Sequence, residues 1–230
     1  MPTHRLSGIS SMATRALLGD LAVDYGRHSG AEVNFESVGG VDAARRVEAG
    51  EAFDVVVLAA DAIDKLLASG RVVPGSRTDL VHSPVAVAVR AGAPQPDIGN
   101  EAALRRSLLA ARSVGYSTGP SGTALLQLFE RWGIADTLRE RIVQAPAGFP
   151  VGALVARGDV ELGFQQRSEL MHLEGIDLVG EMPAGAQIVT TFSAALCTAS
   201  AVPGAVRDLL AFMQSPQTAA LKRRHGMQPA

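Results

Sequence analysis

Residues 5–27 read RLSGISSMATRALLGDLAVDYGR, and they combine a short apolar run, a pair of serines and an amphipathic segment. The apolar run predicts a strand, and residues 12–27 predict a helix with a serine placed as its N-cap. The same order returns at once, because a predicted strand at 33–36 leads through the loop SVGG at 37–40 into a predicted helix at 41–49. Such repeated strand, loop and helix units are typical of an α/β fold built from βαβ units.

The pattern continues in the second half of the chain. A predicted strand at 113–116 leads through the small, polar loop STGPS at 117–121 into a helix at 122–132. The remaining predicted elements are strands at 53–59, 85–90, 142–144 and 160–164 and helices at 62–68 and 151–156, with Gln165 and Gln166 at the head of a last helix that runs to about residue 173. Because ligands of open α/β sheets bind at the carboxyl ends of the strands, we expect these loops to converge on one site.

Composition limits the class of protein. The chain has 230 residues, of which 47% are hydrophobic and 19% charged, enough for one large or two small domains. A net charge of -2 gives no general attraction to nucleic acid or to an anionic membrane. Cys197 is the only cysteine, and the histidines show no ligand spacing, so we expect no intrachain disulfide and no metal. No cofactor is expected either.

The amino terminus bears on location. The segment MPTHRLSGISS lacks the basic and then apolar order of a secretory signal, and no apolar run approaches the ~20 residues that span a bilayer. As written, the sequence predicts a cytoplasmic protein without membrane insertion. If a signal peptide has been removed ahead of Met1, the prediction becomes periplasmic.

Residues 115–119 read GYSTG, which fits the G-x-S-x-G turn that carries the nucleophile of α/β-hydrolases. A nucleophilic Ser117 would need an acid and then a histidine later in the chain, and only His172 and His225 follow it, neither in a recognisable active-site loop. The loop also lacks the lysine of a phosphate-binding P-loop. Ser117 is therefore predicted to bind a ligand, and serine hydrolysis is the distant alternative.

Three segments resemble a known family: GISSMATRAL at 8–17, VEAGEAFDVV at 47–56 and LAFMQSP at 210–216. They are similar to the molybdate-binding branch of the type II periplasmic solute-binding proteins, and the likeness extends over nearly the whole chain. The resemblance implies two α/β lobes, each a mixed sheet flanked by helices, joined by two crossing strands. The ligand would lie in the cleft between the lobes, held by hydroxyl and backbone N–H groups.

The resemblance also implies lobe boundaries and binding residues. The first lobe is expected at 1–83 plus 191–230, with the second lobe inserted at 84–190. Ser11 matches the family's first-loop serine, but Gly39 stands near the second-loop serine and Gln166 replaces a tyrosine, which favours a larger carboxylate ligand over molybdate. The predicted ligand-binding residues are Ser10, Ser11, Arg15, Ser37, Gly39, Gly40, Arg45, Ser117, Thr118, Ser121, Gly122, Thr123, Pro150, Val151, Gln165 and Gln166.

The stretches SGISSMATR, YSTGPSG and GFQQ resemble a divergent branch of the family, that of aconitate isomerase, which shifts a double bond of a tricarboxylate by moving a proton. The main prediction is capture of a small anionic metabolite, a di- or tricarboxylate. The alternative is cofactor-independent isomerisation of an aconitate-like ligand, with Glu36, Asp42 and His82 as candidate bases. Each of these three could equally be a cap, a surface group or a hinge residue. A transporter permease is expected as a partner only if the protein is exported.

Overall fold

A computed structural model describes residues 5–230, and the first four residues, including the Met1 on which the predicted location depends, lie outside the described residues. The chain divides into two compact units. The first unit comprises the residues up to His82 together with Thr191–Ala230, and the second comprises Ser83–Thr190. The sequence analysis expects the boundaries after residues 83 and 190, one residue later than the first boundary found by contacts.

Strands and helices alternate along the chain. The elements up to the first crossing between units are β1 (Arg5–Ser11), α1 (Arg15–Ser29), β2 (Glu32–Val38), α2 (Gly40–Glu48), β3 (Val55–Ala59), α3 (Ala60–Ala68) and β4 (Thr78–Arg90). The second unit continues with α4 (Glu101–Ala110), β5 (Val114–Tyr116), α5 (Pro120–Arg131), α6 (Ala135–Leu138), β6 (Ile142–Gln144), α7 (Val151–Arg157), β7 (Leu162–Gln166), α8 (Arg167–Leu170) and β8 (Ile176–Glu181). The chain then returns to the first unit through β9 (Val189–Leu196), α9 (Pro203–Gln214), α10 (Ala219–Arg224) and β10 (Gln228–Pro229).

The sheet of the first unit is mixed. Strand β1 lies between β2 and β3 and runs parallel to both, whereas β3 pairs antiparallel with β9. The parallel register places Ser10 opposite Ser37, so the carboxyl ends of β1 and β2 meet at one edge. Gly8 permits this close pairing, because a Cβ added there would lie 2.4 Å from Phe35 Cε1 and 2.9 Å from Val55 Cγ1.

Strand β3 shows why its sequence is an unbroken apolar run. Val55 and Val57 face a core formed with α1, α9 and α10, whereas Val56 and Leu58 face a second core formed with α2 and α3. All four side chains are buried. A strand covered by helices on both faces has no polar side, so it cannot show the alternation of a half-exposed strand.

The second unit also contains a mixed sheet covered on both faces. Strand β5 runs parallel to β6 and β7, and β4 pairs antiparallel with β7 and β8. Along β4, Val85, Val87 and Val89 face the core formed with α4 and α5, whereas Ala86 and Ala88 face a smaller core that includes Leu170 of α8. The period of two places the larger side chains against the longer helices.

Two local predictions are wrong. Helix α1 begins at Arg15 after a 3-10 turn at Met12–Thr14, and Ser11 does not cap it, because Ser11 still belongs to β1 with extended backbone angles. Gln165 and Gln166 end strand β7, and the helix that follows has only four residues. Between residues 5 and 230, no helix is long and apolar enough to cross a bilayer.

Candidate ligand-binding site

Three serines meet at the carboxyl ends of β1 and β2 in the first unit. The Oγ atoms of Ser10 and Ser37 lie 2.8 Å apart and form a hydrogen bond, and Ser10 Oγ also donates to Ser11 O. Ser11 differs from both, since its Oγ is buried and has no hydrogen-bond partner among the described residues. A buried hydroxyl without a partner costs free energy, so this atom marks a place where a donor or acceptor from outside the chain would be stabilising.

The start of α2 lies beside Ser11. A Cβ added to Gly40 would lie 3.5 Å from Ser11 Cβ, and the N-cap residue Gly39 has no side chain that could satisfy the first N–H groups of the helix. These N–H groups have no acceptor within the helix, and they carry the positive end of its dipole. Five of the predicted residues are therefore neighbours in the first unit: Ser10, Ser11, Ser37, Gly39 and Gly40. They bring hydroxyl groups and helix N–H groups together where β1 and β2 end and α2 begins.

The charged residues predicted for the first unit are placed differently. Arg45 is exposed and pairs with Asp42 at 2.5 Å, and Arg15 is exposed at the start of α1. Glu36 is held by both terminal nitrogens of Arg46, whose hydrogen bonds lower the pKa of Glu36. Two of the three candidate bases thus lie in surface ion pairs.

The third candidate base, His82, lies on β4 and is the last residue of the first unit before the chain enters the second. Its Nδ1 is 3.0 Å from Thr191 Oγ1 on β9, and its ring is partly buried. A histidine bonded to a hydroxyl through one nitrogen can still accept a proton at the other. His82 is therefore free of the ion pairs that hold Glu36 and Asp42.

Ser117, Ser121 and Gly122 form a compact arrangement at the start of α5 in the second unit. The Oγ atoms of Ser117 and Ser121 lie 3.1 Å apart. Gly122 is required by close backbone approach, because a Cβ at this position would lie 1.8 Å from Ser117 O. The loop therefore folds back against the first turn of α5, and the Ser117 carbonyl oxygen lies next to Gly122.

The backbone donors of this turn are partly used. The N–H groups of Gly122 and Thr123 both donate to Gly119 O, at 3.0 and 3.2 Å. Pro120 has no N–H, which leaves that of Ser121 without an acceptor in its own helix. Thr118 and Thr123 are exposed. The donors that this turn can offer are thus the Ser117 and Ser121 hydroxyls and the Ser121 N–H.

Gln165 is engaged with its own unit. Its Oε1 accepts a hydrogen bond from Val151 N–H at 2.8 Å, and its Nε2 donates to Glu169 Oε1 at 2.8 Å. Burial raises the pKa of Glu169 to about 7, although the hydrogen bond from Gln165 lowers it. Gln165 therefore links the start of α7, after Pro150, to the half-buried Glu169 on α8.

Gln166 points to the opposite face of β7. Its Nε2 donates to Thr190 Oγ1 at 2.7 Å, whereas its Oε1 is buried and unpartnered within the part of the chain that the structure describes. Thr190 can both donate and accept, so the amide can rotate and leave either an oxygen or an N–H group unpaired. Gln166 can thus offer either an acceptor or a donor to a ligand.

The comparisons with known proteins follow this geometry. The sequence matches the profile of a family described as bacterial extracellular solute-binding protein over residues 6–228. The chain belongs to this family. One curated relative, the aconitate isomerase of a Pseudomonas species, is 39% identical to this solute-binding protein over 234 residues, which cover 99% of this chain and 89% of that protein.

Solved structures of solute-binding proteins show the same fold. The periplasmic molybdate-binding protein of Azotobacter vinelandii superposes with a TM-score of 0.79 at 22% identity, over 96% of this chain and 98% of that one. A sulfate-binding protein of Mycobacterium tuberculosis superposes with a TM-score of 0.80 at 15% identity, over 99% and 87% of the two chains. The fold is that of the type II periplasmic binding proteins, and the predicted resemblance is confirmed.

Sequence reasoning did not select three polar residues of this solute-binding protein, of which Ser83 and Thr190 are buried and Glu169 is half-buried. Ser83 Oγ is buried and has no partner among residues 5–230, Thr190 holds Gln166, and Glu169 holds Gln165. Thr190 and Glu169 have no local motif, since their roles arise from pairing with residues far along the chain or from burial. Ser83 lies with Pro84 directly ahead of the predicted strand at 85–90, where a serine carries no signal for a binding role.

Proposed function

We propose that this protein captures a small anionic metabolite, a di- or tricarboxylate, with hydroxyl and N–H donors at the carboxyl ends of its strands. The observation that carries the proposal is Ser11 Oγ, which is buried at the start of α2 without a partner among the described residues. A carboxylate placed there would satisfy this hydroxyl and the first N–H groups of α2 together. The α5 turn, with Ser117 and Ser121, supplies a second set of such donors.

A carboxylate ligand is favoured over a compact tetrahedral oxyanion. Gln166 offers an amide that can accept as well as donate, which suits a ligand with mixed groups. The relative with 39% identity carries the name of a tricarboxylate, whereas the molybdate- and sulfate-binding proteins are 22% and 15% identical to this chain. Both lines of support favour the larger ligand.

The proposal is tested by binding measurements on purified protein. Thermal-shift screening against molybdate, sulfate, citrate and the two aconitate isomers should raise the melting temperature with at least one carboxylate, because a ligand that binds only the folded form stabilises it. Ser11→Ala should weaken that binding by about 1 to 3 kcal/mol and leave the stability of the unliganded protein unchanged or raised, because it removes an orphan hydroxyl. Ser69→Ala is the matched control, since Ser69 Oγ already donates to Leu66 O. Equal affinity of wild type and Ser11→Ala in calorimetry contradicts the proposal.

A second candidate function is isomerisation of an aconitate-like tricarboxylate, which the aconitate isomerase relative favours. In this reaction a base removes a proton from the methylene carbon, and the electron pair of that C–H bond forms a new double bond to the central carbon. The former double bond breaks, and the carbon at its outer end takes up a proton. The charge that develops on the adjacent carboxylate would be stabilised by hydroxyl and N–H donors. Such a shift consumes no oxidant and no second substrate.

Two groups are suited to the proton transfer. Glu36 and Asp42 are already paired with arginines, whereas the partly buried His82 is bonded to a hydroxyl and the pKa of Glu169 is about 7. A base with a pKa near the working pH is the most effective one. On this ground we put forward Glu169, and we put forward His82 because it is bonded to Thr191 and lies outside the arginine pairs that hold the two carboxylates.

Proton NMR of the aconitate isomers in deuterated water tests this function. Wild-type protein should interconvert the isomers without added metal or nucleotide, with deuterium on the methylene carbon unless one base returns the same proton. His82→Gln or Glu169→Gln should lower the rate by at least ~100-fold if that residue is the base, and Asp42→Asn should not. Tight binding of both isomers without conversion over hours would make the protein a binder alone.

The family description supports a proposal on location and partner. We propose that the natural protein is exported, as the family description implies, and that it then delivers its ligand to a transporter permease. Cell fractionation of the source organism with an antibody to the protein should find it outside the inner membrane. Recovery with the cytosol would favour an enzyme or a cytoplasmic sensor instead.

A further inference from the structure

Three buried polar atoms of the second unit have no partner among the described residues: Ser83 Oγ, Gln166 Oε1 and Arg167 Nε. Ser83 Oγ and Gln166 Oε1 share one neighbourhood. Ser83 is 0% exposed and Gln166 is 3% exposed. Thr190, which is 9% exposed, accepts from Gln166 Nε2. Unsatisfied buried polar atoms are rare in folded proteins because each forgoes a hydrogen bond to water, so two of them near one hydroxyl require an explanation.

The strand register brings these three residues together. Gln166 lies opposite Val85 in the pairing of β7 with β4, and Ser83 precedes Val85 by two residues on β4. The side chains of Ser83, Val85 and Gln166 therefore lie on the same face of the sheet. Val85 N–H donates to Ile188 O, and this antiparallel contact places Ser83 opposite Thr190 two residues further along. Ser83, Gln166 and Thr190 therefore form one polar row, which we call the crossing-strand row.

The crossing-strand row lies on the sheet face that α5 covers. Val85 and Phe164, on the same face of β4 and β7, belong to the core that includes Tyr116 and Leu125. Strand β7 lies between β4 and β5, and α5 starts just beyond β5. Gln166 on β7 and Ser83 on β4 are thus separated from the start of α5 by about one and two strand spacings, ~5–10 Å. A single tetrahedral oxyanion does not span this separation, whereas a carbon chain between two carboxylates does.

We infer that Ser83, Gln166 and Thr190 form an uncharged subsite for one carboxylate of a polycarboxylate whose other carboxylate lies at the start of α5. The inference rests on the proposed function and deepens it, because it adds residues that select the ligand class. Rotation of the Gln166 amide lets Thr190 donate to Oε1 and frees an Nε2–H group, which can donate to the carboxylate together with Ser83 Oγ. The two orphan atoms are thereby satisfied at once.

Calorimetry with trans-aconitate tests the subsite in the whole protein. Ser83→Ala, Thr190→Val and Gln166→Met should each weaken binding about tenfold or more, as expected for a lost hydrogen bond to a charged group. Thr137→Val is the control, since Thr137 is exposed on α6 and should retain wild-type affinity. Chemical denaturation of the unliganded variants provides a second measurement. Ser83→Ala removes an orphan hydroxyl and should leave stability unchanged or raise it, which a structural hydroxyl would not allow.

The outcomes separate this inference from the proposed function. If trans-aconitate binds and Ser11→Ala weakens it while the three row variants bind within twofold of wild type, the subsite is overturned and the proposed function stands. If the row variants lose affinity and the free energy of unfolding of Ser83→Ala falls by as much as its binding free energy does, the row is structural and the subsite is overturned. If wild-type protein binds no carboxylate, both are overturned.

Discussion

Substitution of Gly122 by alanine tests how the α5 turn is built. The new Cβ would lie 1.8 Å from Ser117 O, 2.9 Å from the Ser117 carbonyl carbon and 3.0 Å from Tyr116 Cδ2. Real Cβ contacts are almost never shorter than 3.0 Å, so the peptide group of Ser117 must move by at least the difference of 1.2 Å. The obstacle is backbone, which cannot rotate out of the way as the end of a side chain can.

The expected cost combines two opposing effects. Overpacking of a closed site costs about 1 to 3 kcal/mol, and the displaced Ser117 also loses its contact with Ser121 Oγ at 3.1 Å. Alanine gains up to ~1 kcal/mol over glycine inside a helix, but Gly122 lies in the first turn, where this gain is smaller. We expect a net loss of about 1 to 2 kcal/mol of unfolding free energy, together with weaker binding of the anion.

Urea denaturation and calorimetry measure the two effects on the same protein. Gly19→Ala is the matched control, because Gly19 lies within α1 and an added Cβ there meets nothing within 4 Å. That variant should gain roughly 0.5 to 1 kcal/mol of stability and retain its affinity. A Gly122→Ala protein that unfolds at the wild-type urea midpoint and binds the ligand normally would refute the account of this turn.

Three further predictions concern other buried polar groups and glycines. Burial raises the pKa of Glu169 from 4.5 to about 7, so on titration the carboxyl group loses its proton at lower pH in the unfolded chain than in the folded one, and the free energy of unfolding should fall as pH rises from about 4.5 to 7. Glu169→Gln should be more stable than wild type by roughly 3 kcal/mol at pH 8 and equal to it at pH 4, as urea titrations at both pH values will show. Asp54 accepts from Ser7 N–H, Ser7 Oγ and Ser200 Oγ at 2.9, 3.1 and 2.7 Å, so Asp54→Ala should lower the melting temperature and cost about 2 to 3 kcal/mol, whereas Asp24→Ala, which removes an exposed pair with Arg27, should cost under ~1 kcal/mol. Gly8→Ala should cost about 2 kcal/mol or more by the same denaturation assay, because its Cβ would overlap Phe35 and Val55 between two paired strands.

The local order of the first fifty residues could be predicted, because strand and helix periods and the small-polar loops are properties of neighbouring residues. The start of α1 could not, since Ser11 continues β1 and its side chain lacks the capping bond that a serine in that position suggests. The start of helix α4 has a sequence signal, an asparagine in the N-cap position: Asn100 Oδ1 accepts a hydrogen bond from Ala103 N–H. Strand β8 has no comparable local signal in the sequence that would mark it as a strand.

The two glutamines show where local reasoning stops. Adjacent residues on a strand point to opposite faces, so Gln165 meets Val151 and Glu169 while Gln166 meets Thr190. The sequence predicts both residues at the head of one helix and predicts the same ligand-binding role for each. Only the pairing of β7 with β4 and the packing of α7 separate an amide that is fully used from one that has an unpaired oxygen.

The serines can be sorted by whether each hydroxyl group has a hydrogen-bond partner within the protein. A serine before a helix is most often a cap, and that interpretation predicts a hydrogen bond from a backbone N–H to its side chain. Ser10 and Ser37 satisfy each other, as do Ser117 and Ser121. Ser11 and Ser83 do neither, although both are buried, and within the described residues their Oγ atoms have no partner. An orphan hydroxyl costs about 1 to 3 kcal/mol, and a chain that needed serine only for local structure could remove that cost with alanine. The retained cost is therefore the physical reason to look for a ligand at Ser11 and at Ser83, and it ranks these two positions ahead of the G-x-S-x-G match around Ser117.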